Sequence, residues 1–128
     1  MARSYTEFDN LTGNILKCAY EVHTKLGPGL LESAYKECLA YKLQAEGLFV
    51  EKEKAMPLIF EEVKLECGYR IDILVEKSIV LELKSVESLN DVHTAQILTY
   101  MRLGEYKIGY LMNFNVSSLR NGIKRYVL

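Results

Sequence analysis

Two apolar runs, separated by three polar residues, constrain this chain more than any other feature. They are Tyr69-Arg-Ile-Asp-Ile-Leu-Val75 and Ile79-Val-Leu-Glu-Leu-Lys84. Near-continuous, β-branched runs of this length predict central strands covered on both faces, so helices must lie on each side of the sheet. Glu76-Lys77-Ser78 between them suits a hairpin loop. Yet the runs contain Asp72, Glu82 and Lys84, and burying an unpaired charge is costly. With Val75 and Ile79 as the last pair, Leu74 faces Val80, Ile73 faces Leu81 and Asp72 faces Glu82, with Arg70 opposite Lys84. Directly paired residues stand about 5 Å apart at Cβ. Two carboxylates at that spacing repel by roughly 3 kcal/mol at an effective dielectric of 20. A divalent cation offsets this, because Mg²⁺ takes one or two carboxylates and keeps waters for a substrate phosphate. Lys84 shares the face of Glu82, since side chains alternate along a strand. The alternatives are a closed ion-pair cluster including Arg70, and a one-residue slip that turns Asp72 to the other face.

The rest of the pattern supplies the layers. Ile15, Cys18 or Ala19, Val22 and Leu26 predict a helix over Leu11–Leu26. Gly27-Pro28-Gly29 ends it, and a second helix runs from Leu30 to Glu46, stopped by Gly47. Leu48–Glu53 and Met56–Leu65 read as strands. Ser88-Leu-Asn-Asp91 is a turn and cap, followed by a helix over Val92–Leu103 and a strand over Tyr106–Asn113. Gly122–Val127 forms a short final strand or an extended tail. The order α-α-β-β-β-β-α-β predicts an α/β (α+β) layered domain, a mixed sheet flanked by helices. With 128 residues there is room for one domain, with its core over about 11–127.

Net charge is −1, so any nucleic-acid surface must be local. Arg102, Lys107, Arg120, Lys124 and Arg125 are the candidates for a basic patch, against a reading as scattered solvated charges. Cys18, Cys38 and Cys67 lack zinc or redox spacing and read as reduced, mostly buried thiols. No run is apolar enough for a membrane span and MARSYTEFDN lacks a signal-peptide core, so a cytoplasmic protein without a membrane partner is expected. Phosphate-binding loops, dinucleotide turns, zinc-protease and hydrolase motifs are missing. His23 and His93 each read as a surface or capping residue, or as a general base.

Two helical segments add polar groups. Glu32 stands in the first turn of the second helix, where the dipole favours a carboxylate; it is either a helix-start residue or part of a site. Tyr35, one turn on, either hydrogen-bonds Glu32 or packs in the core. Gln96 and Tyr100 lie four apart on one face of the third helix. They are either boundary residues or groups that hold a water, a side chain or a phosphate.

Taken together, G-L-L-E-S-A-Y (29–35), Y-R-I-D-I-L-V (69–75), L-E-L-K (81–84), A-Q-I-L-T-Y (95–100) and N-G-I-K-R-Y-V (121–127) resemble the GxxExxY proteins. That small bacterial family is assigned to the PD-(D/E)XK nuclease superfamily. The resemblance covers about Leu11 to Val127. It implies a restriction-endonuclease-like core with Asp72 and Glu82 as metal ligands, Glu32 assisting them, and Lys84 as catalytic lysine. Gln96 and Tyr100 match the Q-x-x-x-Y helix motif of RecB-type members. Ile71 replaces the nominal Pro before Asp72. The expected function is Mg²⁺- or Mn²⁺-dependent hydrolysis of phosphodiester bonds in DNA. A homodimer would supply surface that so short a chain lacks. The alternative is a non-catalytic module that binds nucleic acid or protein on the same fold.

Overall fold

The computed structural model describes residues 5–128. Helix α1 spans Tyr5–Leu26 and α2 Glu32–Ala45. Then come β1 (Val50–Ala55), β2 (Leu58–Phe60), β3 (Val63–Leu65), β4 (Arg70–Val75) and β5 (Ile79–Lys84). Helix α3 (Asp91–Gly104) leads to β6 (Ile108–Asn113), and a 3₁₀ turn at Leu119–Gly122 leads to β7 (Ile123–Val127).

Five strands form one sheet in the order β1-β4-β5-β6-β7. All its pairings are antiparallel except β5 with β6, which run parallel. A parallel pair needs a crossover, and α3 supplies it. Two cores result. On one face, Ile15, Val22, Leu39 and Leu43 of α1 and α2 pack with Ile73, Leu81, Leu83 and Met112. On the other, Ile97 and Met101 of α3 pack with Ile71, Leu74, Val80 and Leu111. Both faces of β4, β5 and β6 are therefore covered, which accounts for their unbroken apolar runs. Gly109 lets α3 lie close to β6, since a Cβ there would meet the Met101 sulfur at 2.6 Å.

The α1–α2 link is held by one tyrosine. Gly27 and Gly29 have φ of 67° and 100°, a region that favours glycine. The Tyr35 hydroxyl donates to the Gly27 carbonyl and accepts from the Leu30 N–H at 3.2 Å. Its ring is fully buried and stacks on Phe114 with centroids 4.7 Å apart. Tyr35 is thus a core residue that pins the turn. At the start of α3, the Asn90 side chain accepts from the Val92 and His93 N–H groups, and His93 Nδ1 accepts from the Asn90 N–H. His93 is a capping residue.

Several expectations need correcting. The strand expected over Met56–Leu65 is two short strands, β2 and β3, forming a separate hairpin. It turns at Glu61 and Glu62, whose φ values of 48° and 69° suit a primed turn usually made by Asn or Gly. The final segment is a strand, paired to β6 throughout. Arg70 is not paired with Lys84: the β4–β5 ladder ends at Ile73–Leu81, and on the other edge of β4 Arg70 pairs with Ala55 of β1. Cys18 is buried, but Cys38 is half-buried and Cys67 exposed. His23 is buried, with Nε2 2.7 Å from the Val116 carbonyl oxygen. Lys124 and Arg125 are consecutive on β7 and point to opposite sheet faces, so they build no joint patch.

Candidate active site

The β4–β5 hairpin has the register that its loop length predicts, with Val75–Ile79, Leu74–Val80 and Ile73–Leu81 paired. The ladder then stops one step short of Asp72 and Glu82, and their side chains take over the hydrogen bonding. The Asp72 N–H donates to Glu82 Oε1 at 3.1 Å, and the Leu83 N–H donates to Asp72 Oδ2 at 2.9 Å. Strand β4 changes face at this point. Ile73 packs with α1 and α2, whereas Ile71, two residues before it, packs with α3. Regular alternation would place both on one side. The neighbouring strand is deformed as well: Glu53, between the Lys52–Ile73 and Lys54–Ile71 pairs, has φ 54°. Such local breaks in pairing re-aim side chains, often beside active sites.

The two acids are electrostatically linked. Glu82 is 3% exposed, and its carboxyl is pushed up to about 8, first by burial and next by the Asp72 charge. Asp72 is also raised, by burial above all, against the lowering effects of the Leu83 N–H, Lys36 and Lys84. Both carboxyls thus keep a proton to higher pH than free ones, as buried like charges do.

Lys84 ends β5, and its ammonium donates to Gln96 Oε1 at 3.2 Å. Gln96 Nε2 in turn donates to the Tyr100 hydroxyl at 3.3 Å. Burial raises the Tyr100 phenol, with Glu82 and Asp72 adding to the rise. Asp72, Glu82, Lys84, Gln96 and Tyr100 are thereby brought together.

Glu32 stands slightly apart. Its Oε2 accepts from the Ser85 N–H at 3.4 Å, and its charge reaches Asp72. Among the described residues, no three His, Cys, Asp or Glu side chains form a ready metal-ligand group. The donor set nevertheless fits a divalent cation at the Asp72–Glu82 pair: two adjoining carboxyls whose mutual repulsion a cation would offset.

Other residues shape the site without an advance signal in the sequence. Ser85 Oγ donates to the Leu30 carbonyl at 2.6 Å, tying the start of α2 to the end of β5. Buried Asn113, level with Lys84 on β6, accepts from the Val86 N–H and donates to the Val86 carbonyl. Its place at the end of an apolar run was the only hint. Lys36, one turn beyond Glu32, ion-pairs with Glu53 and acts on Asp72. A groove of about 560 Å³ opens beside Lys84, Gln96 and Tyr100 and is walled by Leu58, Tyr69 and Leu103.

No curated protein and no solved structure matches the chain. Among the described residues, no helix is long and apolar enough to cross a membrane. The model of the PD-(D/E)XK nuclease superfamily matches residues 9–126, a span that takes in both carboxyl-bearing strands, Lys84 and all of α2 and α3. Helices on both faces of a five-stranded mixed sheet agree with a restriction-endonuclease-like fold. The match spans most of the sequence, and the chain is a member of the PD-(D/E)XK nuclease superfamily.

Proposed function

We propose that the protein is a metal-dependent nuclease of the GxxExxY branch, hydrolysing phosphodiester bonds in DNA. The observation that carries this reading is the Asp72–Glu82 carboxyl pair, with Lys84 on the same strand as Glu82 and anchored to Gln96. Deprotonated Asp72 and Glu82 would hold Mg²⁺ or Mn²⁺, with Glu32 assisting through water. Such an ion supplies polarisation of the phosphate and a more acidic attacking water.

The chain's own groups do the rest. Lys84 places a positive charge where the phosphate gains negative charge, and the Gln96 carbonyl holds that ammonium in place. Tyr100, held by Gln96, orients a non-bridging phosphate oxygen or a water. Superfamily membership supports nucleic acid as the substrate. A homodimer in the cytoplasm completes the reading, since a specific protein–DNA interface buries about 1,000 Å² or more of protein surface.

The test is cleavage of labelled single-stranded, duplex and branched DNA with 5 mM Mg²⁺ or Mn²⁺, taken as roughly the millimolar range where Mg²⁺ sites fill. Cleavage by wild type and its loss on Lys84→Ala, with metal binding kept, is the expected result. Equal cleavage by Lys84→Ala points to a contaminant and refutes the assignment. A second reading is a non-catalytic binding module, favoured by the lack of a ready three-ligand group among the described residues. It requires nucleic-acid or protein binding that Asp72→Ala leaves unchanged.

A further inference from the structure

The groove beside Lys84 has a chemistry that its neighbours do not use. It is about 560 Å³ in volume, and its walls are mainly Leu58, Tyr69, Val92 and Leu103. Lys84 is its one permanent cation, and no acidic side chain among the described residues lines it. Tyr69 is 47% exposed, a large fraction for an aromatic ring flanking a buried sheet. The ring meets Tyr100 in a T-shaped contact, with centroids 6.4 Å apart, and nearly half of its surface stays open to solvent.

The hairpin extends this apolar surface. Leu58 pairs with Leu65 and Phe60 with Val63, so all four side chains lie on one hairpin face. Phe60, Val63 and Leu65 are exposed. The hairpin tip carries Glu61 and Glu62, which repel phosphate. A sugar–phosphate backbone would need cations along this wall, and the wall offers rings and aliphatic chains instead. An unpaired base has a matching apolar face, whereas bases within a duplex are stacked on each other and closed to such a wall.

We propose that the groove is a base-stacking subsite: an unpaired nucleotide next to the phosphate held by Lys84 lays its base on Tyr69. The substrate is therefore single-stranded, or unpaired at the cleavage point. This rests on the nuclease reading for the position of the phosphate, but its test does not depend on cleavage. Stacking on an aromatic ring tolerates any base, so the subsite selects strandedness and not sequence.

The experiment measures binding of a 12-nucleotide single strand carrying one 2-aminopurine, and of its duplex form, to the full chain in Ca²⁺ at low salt. The oligonucleotide length is chosen to cover roughly one single-strand site. Expected are tighter binding of the single strand than of the duplex, and quenching of 2-aminopurine fluorescence. Tyr69→Ala should weaken single-strand binding about 5- to 150-fold, while Tyr69→Phe keeps both affinity and quenching. Equal or tighter duplex binding, no single-strand binding, or unchanged affinity in Tyr69→Ala overturns the proposal. A second copy is the rival occupant of the hairpin face. Sedimentation showing a dimer that excludes the oligonucleotide would also overturn it. Absent Mg²⁺-dependent cleavage alongside Tyr69-dependent binding would count against the nuclease reading alone.

Discussion

Replacing Glu82 with glutamine keeps the shape of the side chain and its acceptor for the Asp72 N–H, but removes the ionisation. In the metal-free protein this change should alter how stability depends on pH. The Glu82 carboxyl rises from 4.5 to about 8 in the folded state, through burial first and the Asp72 charge second. Below about 4.5 the group is protonated in both folded and unfolded chains and costs nothing. Between about 4.5 and 8 the unfolded chain releases its proton while the folded one retains it, so stability falls with rising pH. Above about 8 both are ionised and the loss is complete. At about 1.4 kcal/mol per pH unit, that window converts to a loss on the order of 5 kcal/mol. This is a large part of a typical domain's 5–15 kcal/mol. Glu82→Gln escapes it, so at pH 9 the metal-free variant should melt on the order of 20 °C above wild type. At pH 4 the two should agree closely. Thermal unfolding in chelator across this pH range makes the comparison. Parallel pH profiles, or a variant less stable than wild type at pH 9, would refute the argument that the pair is strained without a cation.

Three other changes probe the supports of the site. Gln96→Ala removes the acceptor that fixes the Lys84 ammonium, and a hydrogen bond to a charged group is worth about 1.5–3 kcal/mol. Single-turnover cleavage should slow about 10- to 100-fold with metal affinity unchanged; an unchanged rate would show that the contact has no catalytic weight. Tyr35→Phe deletes the hydroxyl that bridges Gly27 and Leu30, and should lower stability by about 1–3 kcal/mol in urea unfolding. Glu105 caps α3 with φ 58°, so Glu105→Gly should stabilise the protein by up to about 1 kcal/mol. Destabilisation there would contradict the left-handed cap.

The hairpin that bears the site was legible because its loop length fixes its register, and register fixes which side chains meet. Helices α2 and α3 were legible from apolar spacing, running within two residues of their expected bounds, whereas α1 begins at Tyr5, six residues before the expected Leu11. The β2–β3 turn was not, because Glu61 and Glu62 occupy positions where Gly or Asn would have given a signal. The break in the ladder at Asp72 was hidden too. Pairing arithmetic assumes an unbroken ladder, whereas here carboxylates replace the backbone partners. Long-range polar contacts such as Ser85 with Leu30, or Asn113 with Val86, join segments far apart in the chain and leave no local pattern. The groove beside Lys84 is likewise a product of packing between β2, α3 and the segment before β4.

Crystals soaked in Mn²⁺ above pH 8, where the Glu82 carboxyl is ionised, put the central idea to its most direct trial. One anomalous peak bound by oxygens of both Asp72 and Glu82, at about 2.0–2.3 Å, is the result expected. A fully soaked crystal with manganese elsewhere or nowhere, and no ion at the two carboxyls, would contradict it.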